Sequence, residues 1–177
     1  MTWLWWAPLV AATLHIVEEF VWPGGFADWD RAYRPEFKAS ITGRLHVIVN
    51  AALLFACFSV GLAGMPGGAL VLGGMRYRSA IPDSLAVPAW LALAAMLGSN
   101  AIWHVVGTRQ TKRISPGVRT GVALYIPLAL FGYWHFLSAG LVSVPMAIGA
   151  TLLGGSYHAW AAIAHRARAG GTTGGVG

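Results

Sequence analysis

The chain has 177 residues, of which 56% are hydrophobic and only 10% are charged. A soluble domain carries about 25% charged residues, so this composition excludes an ordinary soluble protein and indicates an integral membrane protein. The net charge of +6 would favour nucleic-acid binding in a soluble domain. Here the bases fall in short connections between apolar stretches, so we predict no nucleic-acid partner.

Five apolar stretches are long enough to be membrane-spanning helices, which need about 20 residues each. In chain order they are Trp3 to Val21, Ile41 to Leu62, Val87 to Val106, Val118 to Leu137 and Leu141 to Ala164. The predicted fold is all-α, a polytopic membrane bundle of about five transmembrane helices that forms one domain over residues 1–168. Residues 169–177 are rich in Gly and Thr and are predicted to be a disordered tail. The Gly-rich segment Gly61 to Ser84 is either a loop on the membrane surface or a short re-entrant piece.

The distribution of Lys and Arg predicts the orientation. The first connection, the third connection and the C-terminal tail share one side of a five-helix bundle, and they hold ten of the twelve bases. The positive-inside rule places that side in the cytoplasm, so the N-terminus is predicted outside and the C-terminus inside. We expect a multi-pass protein of a bacterial plasma membrane.

Polar residues interrupt four of the five apolar stretches, where they are costly and usually functional. They are His15, Glu18 and Glu19 in the first, His46 and Asn50 in the second, Asn100 and His104 in the third, and His158 in the fifth. Within each stretch the spacing of three or four residues places them on one helix face. With the predicted orientation all of them lie in the cytoplasmic half, which indicates one shared site. His135 and His165 fall outside this layer, and His165 is expected to be solvated.

Imidazole and carboxylate groups are ligands for zinc and iron. The predicted ligands of a divalent transition metal, as one ion or two, are His15, Glu18, Glu19, His46, His104 and His158. One of Glu18 and Glu19 binds the metal in this hypothesis, and the other is a general base. Asn50 and Asn100 orient ligands or stabilise developing negative charge. The alternative is a structural polar network that holds the helices together. Tyr125 has a suitable depth to point inward, and Cys57 is interpreted as packing.

The run H-I-V-E-E, from His15 to Glu19, resembles the HXXEE family of small multi-pass membrane proteins. That resemblance implies that His15, Glu18 and Glu19 are the defining residues. A second resemblance is to CAAX-type prenyl proteases, metal-independent enzymes with a Glu-Glu pair and a later His-x-x-x-Asn, here Glu18-Glu19 and His46 to Asn50. The chain departs from that family at Phe20 to Trp22, where an Arg is expected.

The leading hypothesis is a membrane-embedded metal-dependent enzyme, a hydrolase acting on a lipid or amphipathic substrate at the cytoplasmic leaflet. The expected partners are membrane lipids and such a lipid-like small molecule. Three alternatives remain open: an iron-dependent membrane oxygenase, a metal-independent glutamate protease of CAAX type, and an ion- or proton-coupled transporter. The polar connection from Phe26 to Ser40 lies on the same side and could cover the site.

Overall fold

The structure, a computed structural model, describes residues 1–171 and the side chains of residues 1–167. The helices are α1 (Thr2–Phe20), α2 (Phe26–Tyr33), α3 (Gly43–Ala63), α4 (Asp83–Thr111), α5 (Val118–Ser138), α6 (Val144–Gly155) and α7 (Tyr157–Gly171). Two strands, β1 (Ala69–Leu72) and β2 (Met75–Arg78), separate α3 from α4. Short 3₁₀ turns occupy Pro35–Phe37 and Pro66–Gly68. The protein is therefore mostly helical, as its long apolar stretches predict.

Three helices among the described residues are long and apolar enough to cross a bilayer, and they indicate a membrane protein. They are α3, α4 and α5, with 21, 29 and 21 residues. The predicted first span corresponds to α1, which has 19 residues and ends before Pro23-Gly24-Gly25. The predicted fifth span is divided at Ser156 into α6 and α7. A bundle of five spans remains a prediction.

The segment between α3 and α4 contains a two-stranded antiparallel hairpin. Ala69 pairs with Arg78 and Leu72 pairs with Met75 across a Gly73-Gly74 turn. Both glycines have positive φ, 56° and 78°, which two-residue hairpin turns require and which only glycine adopts without strain. The Gly-rich segment, which the sequence predicted as either a surface loop or a re-entrant piece, thus contains a β-hairpin that the prediction did not include.

Helix α4 is the centre of the molecule. Trp90, Leu91 and Ala94 of this helix are completely buried, and the Trp90 indole donates a 3.0 Å hydrogen bond to the carbonyl of Leu4 in α1. Gly132 of α5 lies against the Trp90 ring, and Gly154 of α6 lies against the backbone of α4 at Ala92. Small residues at such contacts let helix backbones approach closely, as is typical of membrane helix packing.

This packing brings three polar segments to one end of the bundle. They are the C-terminal half of α1, the C-terminal half of α4 and the N-terminus of α5, together with the connection before it. Helix α7 extends through Gly171, and the rest of the predicted tail, residues 172–177, lies outside the described residues.

Candidate metal centre

Two histidines and one glutamate meet where α1 and α4 approach each other. Glu19 Oε1 lies 3.3 Å from His15 Nε2 and 3.2 Å from His104 Nε2. The ligand atoms of all three residues lie within 4.8 Å of one another, and all three side chains are buried. His15 and Glu19 are one turn apart on α1 and therefore share a face. The structure thus joins polar pairs that lie 85 residues apart in the sequence.

The hydrogen bonds of His15 assign its tautomer. Thr120 Oγ1 donates to Glu18 Oε2 over 2.6 Å. The same hydroxyl lies 3.0 Å from His15 Nδ1, and because its single hydrogen is already used, it accepts from an Nδ1–H. His15 Nε2 then carries a lone pair, which accepts a 3.1 Å hydrogen bond from the Asn100 amide. An imidazole that donates from one nitrogen and carries a lone pair on the other has the protonation state of a metal ligand; a metal would replace the Asn100 amide as the partner of that lone pair.

His104 has the same arrangement with a different hydroxyl. Its Nδ1 lies 2.7 Å from Ser115 Oγ, which in turn donates to the carbonyl of Pro116 over 3.3 Å. His104 Nε2 is buried and has no hydrogen bond among the described residues, although Glu19 Oε1 is near it. We assign the proton to Nδ1, so Nε2 also carries a lone pair. Two imidazole lone pairs and a carboxylate then face one point, an arrangement that attracts a cation.

The Glu18 carboxylate points away from the position that His15, Glu19 and His104 face. Its carboxylate accepts hydrogen bonds from the backbone N–H groups of Arg119 and Thr120, at 3.2 and 2.7 Å, and from the Thr120 hydroxyl. These N–H groups belong to the first turn of α5, where backbone donors lack intrahelical partners and favour a negative charge. Glu18 therefore caps α5 from a different helix. Through Thr120 it also orients His15.

The connection between α4 and α5 lies directly on the cluster. Gly117 has a φ of 93°, and a Cβ there would lie 2.7 Å from His15 Cε1, 2.9 Å from Glu19 Cγ and 3.1 Å from His104 Cε1. Only glycine combines this conformation with this closeness. The next segment, Gly121–Tyr125, is a π-helical stretch of α5, a feature that often accompanies functional sites. It ends at Tyr125, whose buried ring lies 4.6 Å from that of His15.

Helix α2 packs against the His104 side of the cluster. It belongs to the connection from Phe26 to Ser40, which the sequence predicted could cover the site. The Phe26 ring lies 5.5 Å from the His104 ring, and the Trp29 ring packs against Gly107. A cavity of about 280 Å³ lies between α2 and the α4–α5 connection, with Trp29 and Pro116 in its lining.

The remaining predicted site residues do not join the cluster. His46 packs on Phe26 at 5.5 Å, and its Nε2 lies 3.9 Å from Asp30 Oδ2. His158 stacks on Trp103 at 5.5 Å, and its Nε2 has no hydrogen bond among the described residues. The Asn50 side chain is partly exposed and makes no hydrogen bond within residues 1–167. Their assignment as metal or catalytic residues stays a prediction.

Asp30 organises the layer that contains His46. It is 1% exposed and binds Arg34 through two hydrogen bonds of 2.8 and 2.7 Å. Burial raises the pKa of Asp30, but the interactions with His46 and Arg34 outweigh burial and hold the pKa below its ordinary value. The carboxylate is therefore charged at neutral pH. Sequence reasoning missed Asp30 because it lies outside the apolar stretches.

Three more residues of the cluster have no signal in the apolar pattern. Thr120, Ser115 and Gly117 lie at or before the start of α5, and only the tertiary contacts identify them. His165 was expected to be solvated, and this expectation is wrong. It is 8% exposed, its Nδ1 lies 2.7 Å from Ser40 Oγ, and its ring stacks on Phe37.

Residues 6–132 match the family described as a protein of unknown function with an HXXEE motif. The chain belongs to the HXXEE family. The match runs from Trp6 in α1 to Gly132 in α5, and so includes His15, Glu18, Glu19, Asn100, His104 and Thr120. It confirms the resemblance that the H-I-V-E-E run suggested. Neither a curated protein nor a solved structure matches this HXXEE chain.

In this HXXEE protein the three residues that define the motif have two different environments. The histidine and the second glutamate face His104, and the first glutamate caps α5. A helix turns by about 100° per residue, so the adjacent glutamates face different neighbours.

Proposed function

We propose that this protein is a membrane-embedded metalloenzyme that holds a divalent transition metal at His15, Glu19 and His104. The observation that carries the proposal is the convergence of two imidazole nitrogens and one carboxylate oxygen on a buried point. The Glu19 oxygen lies 3.3 and 3.2 Å from the nitrogens of His15 and His104, and all three ligand atoms lie within 4.8 Å of one another, close enough to bind one metal ion. Three protein ligands and an open position are typical of catalytic zinc.

Hydrolysis of a lipid or amphipathic substrate is the reaction that we favour. A metal at this position would activate water and polarise a carbonyl or phosphoryl oxygen. The Asn100 amide faces the same point, so it is placed to donate a hydrogen bond to an oxygen that develops negative charge. Glu18 accepts three hydrogen bonds from Arg119 and Thr120, so we assign it a positioning role rather than that of a general base. This role also argues against a metal-independent glutamate protease.

An iron-dependent oxygenase is the second candidate. Two histidines and one carboxylate, with further positions open, also form the ligand set of non-haem iron oxygenases. Zinc and iron are therefore separated by metal content and by oxygen dependence rather than by the ligand set.

We further infer a multi-pass arrangement with five passes, in which α1 is the first and α6 with α7 is the last. The positions of the bases support a cytoplasmic location for the α1–α3 and α4–α5 connections. The cluster then lies in the cytoplasmic half of a bacterial plasma membrane. A substrate whose chain lies in the bilayer would reach it from the inner leaflet.

Metal analysis of the protein purified without chelators tests the metal site. We expect about one zinc or iron per chain, and a large loss of metal in His15→Ala, Glu19→Gln and His104→Ala. His46→Ala and His158→Ala are matched controls that remove an imidazole outside the cluster and should retain metal. Glu18→Gln should retain most of its metal, because its carboxylate faces α5.

A wild-type metal content below about 0.3 per chain, with folding unaffected by chelator, would refute the metalloenzyme hypothesis. Loss of metal in His46→Ala and His158→Ala but not in His104→Ala would show that the metal binds at those two histidines instead. If metal binds, hydrolysis of lipid ester substrates under anaerobic conditions separates a hydrolase from an oxygenase, because only the oxygenase needs O₂.

A further inference from the structure

The β-hairpin between α3 and α4 has two chemically different faces. In a two-stranded ribbon, the side chains of directly paired residues point to the same face, and successive pairs alternate between the faces. The register therefore places Leu70 with Tyr77, and Leu72 with Met75, on one face. The Tyr77 hydroxyl lies 3.8 Å from Met75 Sδ, as expected for two side chains on the same face. We call this uncharged surface the apolar face.

The opposite face carries the two bases of the segment. Ala69 pairs with Arg78, and Val71 pairs with Arg76. Both arginines are exposed. Long Arg side chains keep their charge in water or on lipid phosphates while their stems cover apolar surface. The hairpin is therefore amphipathic, with one apolar and one cationic face, a combination that is typical of elements lying at a membrane surface.

The base of the hairpin is fixed to the end of α3. Ser79 Oγ donates a 3.0 Å hydrogen bond to the carbonyl of Ser59, about one turn before α3 ends at Ala63. The Ser79 N–H donates to the carbonyl of Gly68 over 2.9 Å, and Ile81 packs against the buried core. Because α3 is long and apolar enough to cross a bilayer, its last turn lies at the membrane boundary. The hairpin therefore begins at that boundary.

The outer half of the apolar face is not covered by the described part of the protein. Leu72 is 65% exposed and Met75 is 60% exposed. The hairpin also has two open edges, because no third strand pairs with it among residues 1–171. Open sheet edges do not occur in the hydrocarbon interior, where their N–H and C=O groups would lack partners. A position in the hydrated headgroup layer satisfies both the open edges and the apolar face.

We propose that the apolar face of the hairpin lies on the lipid leaflet next to the ends of α3 and α4. The side chains of Leu72, Met75 and Tyr77 extend below the headgroups, and Arg76 and Arg78 face the water. In the proposed arrangement this is the outer leaflet. The hairpin is then an interfacial anchor that is continuous with the lipid-facing surfaces of α3 and α4. Its backbone stays hydrated, so aqueous reagents still reach this segment, and its position does not depend on a metal.

Fluorescence quenching in lipid nanodiscs tests this position. Leu72→Cys and Val71→Cys are a matched pair, because the two residues are neighbours on opposite faces and are 65% and 66% exposed. Each variant is labelled with a nitrobenzoxadiazole maleimide. Cys57 is completely buried, so the wild type treated in the same way is the blank. The nanodiscs hold one chain each in phosphatidylcholine and phosphatidylglycerol. The quenchers are a lipid with a nitroxide near the top of one acyl chain, and aqueous iodide.

We expect the lipid nitroxide to quench Leu72→Cys at least about twofold more strongly than Val71→Cys, because interfacial elements bury their apolar face by roughly 5–10 Å. Iodide should show the reverse order. Met75→Cys and Arg76→Cys, in the second strand, form an independent pair that should behave in the same way.

Equal quenching of Leu72→Cys and Val71→Cys by iodide would show that the hairpin projects into water, and this would overturn the proposal. Protection of Leu72→Cys from both quenchers would mean that the apolar face packs on protein, and this would overturn it as well.

Discussion

At the residue scale, the two adjacent glutamates of the motif bind different partners. Glu19 lies on the face of α1 that also carries His15, and its carboxylate faces His104. Glu18 lies on the face toward α5 and satisfies two backbone N–H groups there. Helix α1 thus supplies two of the three proposed metal ligands and also the group that caps the neighbouring helix α5.

The hydroxyl of Thr120 connects these two roles, and its removal should weaken metal binding. Thr120→Val keeps the shape of the side chain but removes the acceptor for His15 Nδ1–H. Loss of such an outer partner typically lowers metal affinity by about 10–100-fold. Competition with a chelator of known affinity measures the change.

Thr120→Ser is the control, because it restores the hydroxyl, and it should recover most of the affinity. A Thr120→Val protein that is less thermostable but binds metal with unchanged affinity would assign Thr120 a purely structural role.

At the element scale, the connection between α4 and α5 is as important as the helices. It places Ser115 on His104 and Gly117 against all three proposed ligands. The α4 helix ends at Thr111 and α5 begins at Val118, so this short segment supplies the Ser115 hydroxyl and leads directly to the Thr120 hydroxyl in the first turn of α5.

Gly117→Ala should therefore cost both stability and metal. A positive φ in a residue other than glycine costs about 1–3 kcal/mol, and the added Cβ would lie 2.7 Å from the His15 ring. Gly140→Ala is a matched control, because Gly140 has a φ of 65° and nothing within 4 Å of its Cβ position. Thermal unfolding should shift in both variants, whereas metal content should fall only in Gly117→Ala. Equal metal contents would contradict the close contact.

The Asp30 carboxylate should stabilise the packing of α2 in a pH-dependent way. Because the pKa of Asp30 is lowered in the folded protein, its charged form contributes stability above the ordinary value of 3.8. That stability is lost as the pH falls through the lowered pKa. Asp30→Asn should destabilise the protein at pH 7 by about 1.5–3 kcal/mol, the value of hydrogen bonds to a charged group.

Thermal unfolding from pH 6 to pH 3 measures this dependence. The gap between the wild type and Asp30→Asn should narrow as the pH falls below the ordinary value of 3.8, because the unfolded chain then binds a proton at this carboxyl while the folded protein still holds it charged. A gap that stays constant over this range would mean that Asp30 contributes through packing alone.

At the scale of the whole molecule, the orientation in the membrane decides which leaflet the site faces. The only cysteine, Cys57, is completely buried, so single introduced cysteines report accessibility cleanly. Met75→Cys in the β-hairpin should react with a membrane-impermeant maleimide in intact cells. Glu36→Cys, in the α1–α3 connection, should react only after permeabilisation. The opposite pattern would place the cluster in the outer leaflet.

Much of the fold follows from the apolar pattern alone. The starts and ends of α1, α3 and α5 lie within about two residues of the predicted stretches, because long apolar runs in a bilayer must satisfy their backbone internally. The division of the predicted fifth span at Ser156 and the extension of α4 to Thr111 were not predicted. Hydropathy averages over a window, so it does not detect a local break or a polar extension of a helix.

The sequence by itself determined the class of protein, the family and the polar pairs that share a helix face. It identified His15 with Glu19 and Asn100 with His104, because spacings of four residues place side chains together on any α-helix. Only the tertiary structure decided which of these faces meet. The rotation of each helix depends on distant contacts such as Gly132 against Trp90 and Gly154 against Ala92. That packing joins α1 to α4, places His46 beside Asp30, and separates the roles of Glu18 and Glu19.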